Sequence, residues 1–134
     1  MTAASPVRLA VRSSEDIVRM RQMVRDNAVA LGFSLVDQTK LVTAASELAR
    51  NTVIYGGGGE VHIEPVSQGS RRGLRLVFVD QGPGIADVQQ AMKDGFTSGG
   101  GLGLGLGGAK RLSNEFAIDS RPGEGTRVTI VRWK

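Results

Sequence analysis

With 134 residues the chain is long enough to bury one core without cross-links, and the absence of cysteine excludes disulfides and thiolate metal sites. Seventeen Lys and Arg against 13 Asp and Glu give a net charge of +4, which suits an anionic ligand or an acidic partner, while one Trp, one Tyr and four Phe, with no stacking motif on a strand, argue against nucleic acid. No apolar run approaches the roughly 20 residues of a membrane span and the first residues lack the apolar core of a signal peptide, so the expectation is one cytoplasmic domain over 1–134 with no membrane partner.

Taken in order, Val7 to Val11 alternates apolar and polar residues and predicts a first strand, at a sheet edge. Ser13 or Ser14 then caps a helix, with Glu15 and Asp16 in its first turn. Ile17, Met20, Val24, Ala28 and Leu31 recur at three- and four-residue steps until Gly32 ends it. A second helix runs from near Ser34 to about Tyr55 and stops at the Gly56 to Gly59 run. The strand GEVHIEPV follows, Pro65 marking an edge or a strand end. Residues 69–73, GSRRG, read as a hairpin turn, and LRLVFVD as a strand buried on at least one face and ending at Asp80. A short helix over Asp87 to Lys93, a glycine-rich stretch and a helix from about Gly107 to Phe116 come next. AIDSR, a turn over Pro122 to Gly125, and TRVTIVRW close the chain as two strands. Strands joined by hairpins, with helices gathered between them, predict an α+β sandwich with helices on one face of a mostly antiparallel sheet.

Four stretches carry the chemistry. In DGFTSGGGLGLGLGGAK, from Asp94 to Lys110, seven glycines fall between Gly99 and Gly108. Each would cost about 1 kcal/mol against alanine inside a helix, so stability does not account for them. Bare backbone can approach a ligand closely and aim several N–H groups at one anion, and the stretch leads into a helix N-terminus, which favours a phosphate-binding loop that doubles as a lid ordered by its ligand. A plain linker would pair glycine with serine, whereas here Leu102, Leu104 and Leu106 supply apolar anchors.

On the second helix Leu41, Ala44, Ala45, Leu48 and Tyr55 form the buried stripe, with Glu47 and Asn51 stacked at its border. A carboxylate there can take a proton from a hydroxyl and an amide oxygen can bind Mg²⁺, although a solvated helix edge with Arg50 as partner of Glu47 is the plainer alternative. Asp80-Gln81-Gly82-Pro83-Gly84-Ile85 sets an acid at a strand end beside two glycines. It can accept from an exocyclic amine, or simply cap a tight turn. Gly123-Glu124-Gly125-Thr126 is a good hairpin turn in its own right. Other patterns fail: Gly103, Gly105 and Gly108 match a dinucleotide fingerprint without the preceding strand, Ala109 and Arg111 break a P-loop, and the single histidine, His62, rules out a histidine-based metal site.

In order, E-L-A-R-N from Glu47, D-Q-G-P-G-I from Asp80, G-L-G-L-G-L from Gly101 and G-E-G-T from Gly123 resemble the N, G1, G2 and G3 boxes of the GHKL ATPases. Each box is weak alone; four in this order and spacing are a strong signal. Within that superfamily the chain is most similar to the small serine/threonine kinases that act as anti-sigma factors and stressosome switch proteins, over nearly its whole length. It departs from their pattern at Val79, where an acid is usual, and at Gly107, where proline is common.

The resemblance implies the Bergerat fold, an α/β sandwich on a mostly antiparallel mixed sheet, and ATP or ADP with Mg²⁺ as ligands. By it, Asp80 receives the adenine amino group, Gly84 and Thr126 complete the base pocket, Gly82 and Ile85 are further nucleotide-binding residues, and Asn51 ligates Mg²⁺. The amides of Gly101, Gly103, Gly105 and Leu106 hold the phosphates, Leu102 and Leu104 belong to the same nucleotide-binding loop, and Glu47 is the general base. Implied substrates are STAS-domain proteins of the stressosome, and the implied target of the released kinase is a PP2C-type phosphatase. The alternative is an anti-sigma factor kinase that binds a sigma factor directly and phosphorylates an anti-anti-sigma factor.

Overall fold

The computed structural model describes residues 6–85 and 105–134. Five strands, β1 (Val7–Val11), β2 (Gly59–Gln68), β3 (Arg71–Asp80), β4 (Glu115–Ser120) and β5 (Thr126–Trp133), form a sheet in the order β1-β2-β3-β5-β4. Every ladder among the described residues is antiparallel. Helices α1 (Ser14–Ala30) and α2 (Leu35–Ile54) cover the face built from Val61, Ile63, Leu74, Leu76, Phe78 and Ile130, and a short α3 (Leu106–Arg111) packs on α2. This is the α+β arrangement the sequence predicts.

Both long helices start with the same device. Ser13 Oγ accepts from the Asp16 amide at 3.2 Å and Ser34 Oγ from the Asp37 amide at 3.1 Å, so each first turn has one orphan donor satisfied and an acid near the positive end of the dipole. Met20, Val24 and Ala28 of α1 and Leu41, Ala44, Ala45 and Leu48 of α2 are fully or almost fully buried, each large side chain contributing about 1.5–3 kcal/mol relative to exposure. Thr52, also buried, donates from Oγ1 to the Leu48 carbonyl at 2.9 Å and so leaves no bare hydroxyl in the core.

Arg132 on β5 fixes the elements that carry the site. Its Nη2 donates to Asp37 Oδ1 at 2.7 Å and its Nη1 to the Leu112 carbonyl at 2.8 Å, joining the start of α2 and the end of α3 to the sheet. The opposite sheet face carries cross-strand pairs such as Arg75 with Glu64 at 3.0 Å, and Arg71 over the Trp133 ring at 4.3 Å.

Three elements differ from their predicted extent. The hairpin turn is only Gly69 and Ser70, because Gln68 pairs with Arg71 and Gly73 lies inside β3 opposite Trp133. Pro65 does not end its strand: β1 stops pairing at Ile63, so from there β2 has a free edge on that side, where a missing N–H costs nothing. Helix α3 ends at Arg111 rather than near Phe116, since Phe116 is claimed by β4, where it pairs with Ile130. The predicted Asp87 to Lys93 helix lies outside the described residues.

Candidate active site

Three of the four sequence stretches meet at one end of the sheet. Asp80 is the last residue of β3, opposite Thr126, the first of β5. Its Oδ1 accepts from the Gly82 amide at 2.9 Å, so the acid does cap its own turn. Desolvation pushes its pKa above the ordinary 3.8, and hydrogen bonds from the Gly82 and Thr126 backbone only partly offset this. A half-buried carboxylate held by backbone donors is a fixed acceptor.

The turn after Asp80 is seated on the β4–β5 turn. The Gly123 amide donates to the Pro83 carbonyl at 2.7 Å, and the Ile85 amide to Ser120 Oγ at 2.7 Å. Ser120 Oγ also lies 2.8 Å from Thr126 Oγ1 and 3.2 Å from the Gly125 carbonyl. Gly84 and Gly125 both have positive φ, and a Cβ on either would collide with backbone, that of Arg121 and of Asp80 respectively. Gly82 instead abuts Gly56, whose Cα would lie 2.7 Å from an added Cβ. Sequence reasoning missed Ser120 and treated Gly56 only as a helix stop. Their partners lie 35 and 26 positions away, respectively, at Ile85 and Gly82, and no local pattern announces such contacts.

Gly56 is the link to α2. A Cβ there would stand 2.6 Å from both Cβ and Oδ2 of Asp80. The amides of Tyr55 and Gly56 both donate to the Asn51 carbonyl, at 2.9 and 3.1 Å, so the turn that carries Asn51 is the one that abuts Asp80. One turn earlier on α2, Glu47 is partly exposed, its Oε1 3.9 Å from Arg50 Nη1. That is the plain ion pair the sequence offered as an alternative, at the limit of its range. The same carboxylate also faces Gly105, which adopts φ +66 as the N-cap of α3. Leu106, the next residue, is buried and anchors the end of the glycine-rich stretch, whereas Gly101, Leu102, Gly103 and Leu104 lie outside the described residues. A cavity of about 250 Å³ lined by Asp80, Arg121, Glu124, Thr126 and Arg127 also includes Val79 and Asp119, on the sheet face away from the helices, so it is not the space between Glu47 and Asp80.

The arrangement sets a desolvated acceptor and an open carboxylate against glycines too close to their neighbours to carry side chains, with Asn51 one turn along the helix from the carboxylate. A flat amine-bearing ring with an anionic tail matches that set, and the donors present suit a nucleotide with a hard cation; among the described residues no group of three acidic or histidine ligands could hold a metal by itself. The model of the histidine kinase-, DNA gyrase B- and HSP90-like ATPases matches residues 36–134, and the chain belongs to that family. Within it, the chain is 49% identical over 118 residues to the serine/threonine-protein kinase RsbT of Bacillus subtilis (strain 168), covering 88% of this chain and 89% of the relative. It is 26% identical over 117 residues to an anti-sigma F factor of Thermoanaerobacter sp. (strain X514), covering 84% and 82%. Among solved structures, a mycobacterial sensor histidine kinase, MprB, matches with TM-score 0.57 and 22% identity over 98% of this chain and 97% of that one, which shows the shared fold. The expectation of a chain resembling the serine/threonine switch kinases of this superfamily therefore holds. No helix among the described residues is long and apolar enough to cross a membrane.

Proposed function

We propose that residues 1–134 act as one Mg²⁺-ATP-dependent serine/threonine kinase domain in the cytoplasm, which phosphorylates STAS-domain proteins of a stressosome and, once released from them, activates a PP2C-type phosphatase. The observation that carries this reading is the placement of Glu47 against Gly105 on the helix that also bears Asn51 and abuts Asp80. The 49% identity to a serine/threonine-protein kinase supports the choice of a protein hydroxyl over water as acceptor.

Asp80 accepts the adenine amino hydrogen, in a base pocket completed by Gly82, Gly84, Ile85 and Thr126. Asn51 holds the magnesium ion, which when bound neutralises phosphate charge. The amides from Gly101 to Leu106 receive the phosphates. Glu47, open to solvent, takes the proton of the client's serine or threonine hydroxyl as that oxygen bonds to the γ-phosphorus and ADP leaves.

A second reading, an anti-sigma factor kinase that binds a sigma factor directly, is supported by the anti-sigma F factor relatives. Incubation with labelled ATP and either a STAS-domain protein or a sigma factor separates the two. Phosphoserine or phosphothreonine on the STAS protein without a stable sigma complex supports the first. A stable sigma complex favours the second, and no transfer to any STAS protein at saturating ATP would sink the kinase reading itself.

A further inference from the structure

Five large apolar side chains among those described are strongly exposed, and all five lie on α1 and α2: Val18 at 65%, Val29 at 56%, Leu35 at 70%, Val36 at 62% and Ile54 at 59%. Of these, Val18 borders the space between the two helices. On α1, Val18, Arg21, Gln22, Arg25 and Val29 follow three- and four-residue steps and share a face that borders the buried stripe of Met20, Val24 and Ala28. On α2, Leu35 and Val42 are two turns apart on one face. Between the helices Val18, Arg21, Gln22, Arg25 and Val42 line a groove of about 180 Å³.

The groove is charged in one sense only. Its lining holds two guanidinium groups and no carboxylate. Arg21 has no ion pair or hydrogen bond among the described residues, and Arg25 donates only to the neutral Gln38 Oε1, at 3.1 Å. From Val18 to Val29 the row spans about 16 Å, three helical turns. We propose that this groove docks an acidic amphipathic helix of a partner protein, its apolar stripe lying on exposed Val18 and Leu35 to either side of the buried floor at Val42 and its carboxylates pairing with Arg21 and Arg25. The groove contains none of Glu47, Asn51 and Asp80, so it stands or falls independently of the nucleotide chemistry.

The test uses the full chain and a fluorescein-labelled 15-residue synthetic helix with leucines at i, i+4 and i+7 flanked by glutamates, read by anisotropy. Saturable binding is expected, weakened at least tenfold by Arg21→Glu with Arg25→Glu and by Val18→Asp, and within twofold of wild type for Arg8→Glu with Arg127→Glu on the open sheet face. The lysine counterpart of the peptide should bind the Arg21→Glu, Arg25→Glu protein better than wild type. Circular dichroism melting guards against misfolding; Val18 is exposed enough that its replacement should leave the midpoint unmoved. No saturable binding, equal loss from the sheet-face variant, or equal binding of both peptides to wild type overturns the proposal. So does a concentration-dependent dimer, seen by sedimentation and dissociated by Val18→Asp, which would give the groove to a second copy of the chain.

Discussion

The Glu47 carboxylate and Gly105 occupy the same small space: a methyl group on Gly105 would stand 2.6 Å from Glu47 Oε2 and 3.2 Å from its Cβ and Cδ. A residue 58 positions away thus fixes where the acid can be, and only glycine meets both the contact and φ +66. If Glu47 is the general base, Glu47→Ala should lower phosphoryl transfer by about 10² to 10⁴ while ATP affinity stays within a few fold. Asn51→Ala, one turn along, should lose both transfer and magnesium-dependent binding. Single-turnover transfer and calorimetry on the same preparations separate these outcomes, and a Glu47→Ala protein that phosphorylates its client at the wild-type rate leaves the carboxylate a structural role only.

Asp80→Asn should weaken ATP more than any other single change in the base pocket. The carboxylate can only accept, whereas an amide can turn a donor toward the adenine amino group. Loss of one charge-assisted hydrogen bond costs about 1.5–3 kcal/mol, or roughly tenfold to more than a hundredfold in Kd. Calorimetric affinity equal to wild type would remove Asp80 from the site.

Gly56→Ala should imitate that loss without touching the carboxylate. The new methyl meets Asp80 Oδ2 at 2.6 Å and its Cβ at the same distance, so either the side chain or the α2 terminus must move. Overpacking of this kind costs about 1–3 kcal/mol of stability, read from a denaturant midpoint. ATP affinity should fall at least tenfold as Asp80 is displaced. A destabilised protein that retained full affinity would show that the helix yields and the acid does not.

How much of this was legible beforehand follows from the range of each signal. Period-2 and period-3.6 patterns placed all five strands and both long helices, because Met20, Val24, Leu41, Leu48, Leu76 and Ile130 advertise their buried face locally. Element ends were less legible: Phe116 reads as helical until Ile130 claims it across a ladder. The acids and glycines of the site stood out by composition, and the structure sets Asp80 opposite Thr126 and Glu47 against Gly105. Gly56 and Ser120 did not stand out, since what makes them matter is contact with Asp80 and with Ile85, and sequence spacing carries no trace of it.

The two aspartates held by named partners should respond to pH in opposite senses. Asp37, hydrogen-bonded by Arg132, has its pKa lowered from 3.8. Because the folded value lies below the unfolded one, its contribution is present above about pH 4 and is lost as pH falls through the depressed value. Asp37→Asn should therefore lower the melting midpoint at neutral pH by an amount equivalent to about 1 kcal/mol, the usual size for a partly exposed pair, and progressively less in acid. Asp80 has its pKa raised by desolvation, so the empty protein gains stability when it is protonated and loses it as pH rises through the raised folded value. Nucleotide binding runs the other way, since the ionised carboxylate is the better acceptor for the adenine amine. ATP affinity should fall as pH drops through the raised Asp80 value, over the same window in which the apo protein becomes more stable, and Asp80→Asn should flatten both curves. Calorimetry and thermal melts across that window check the pair; affinity that rose on acidification would mean that Asp80 binds nucleotide as the neutral acid.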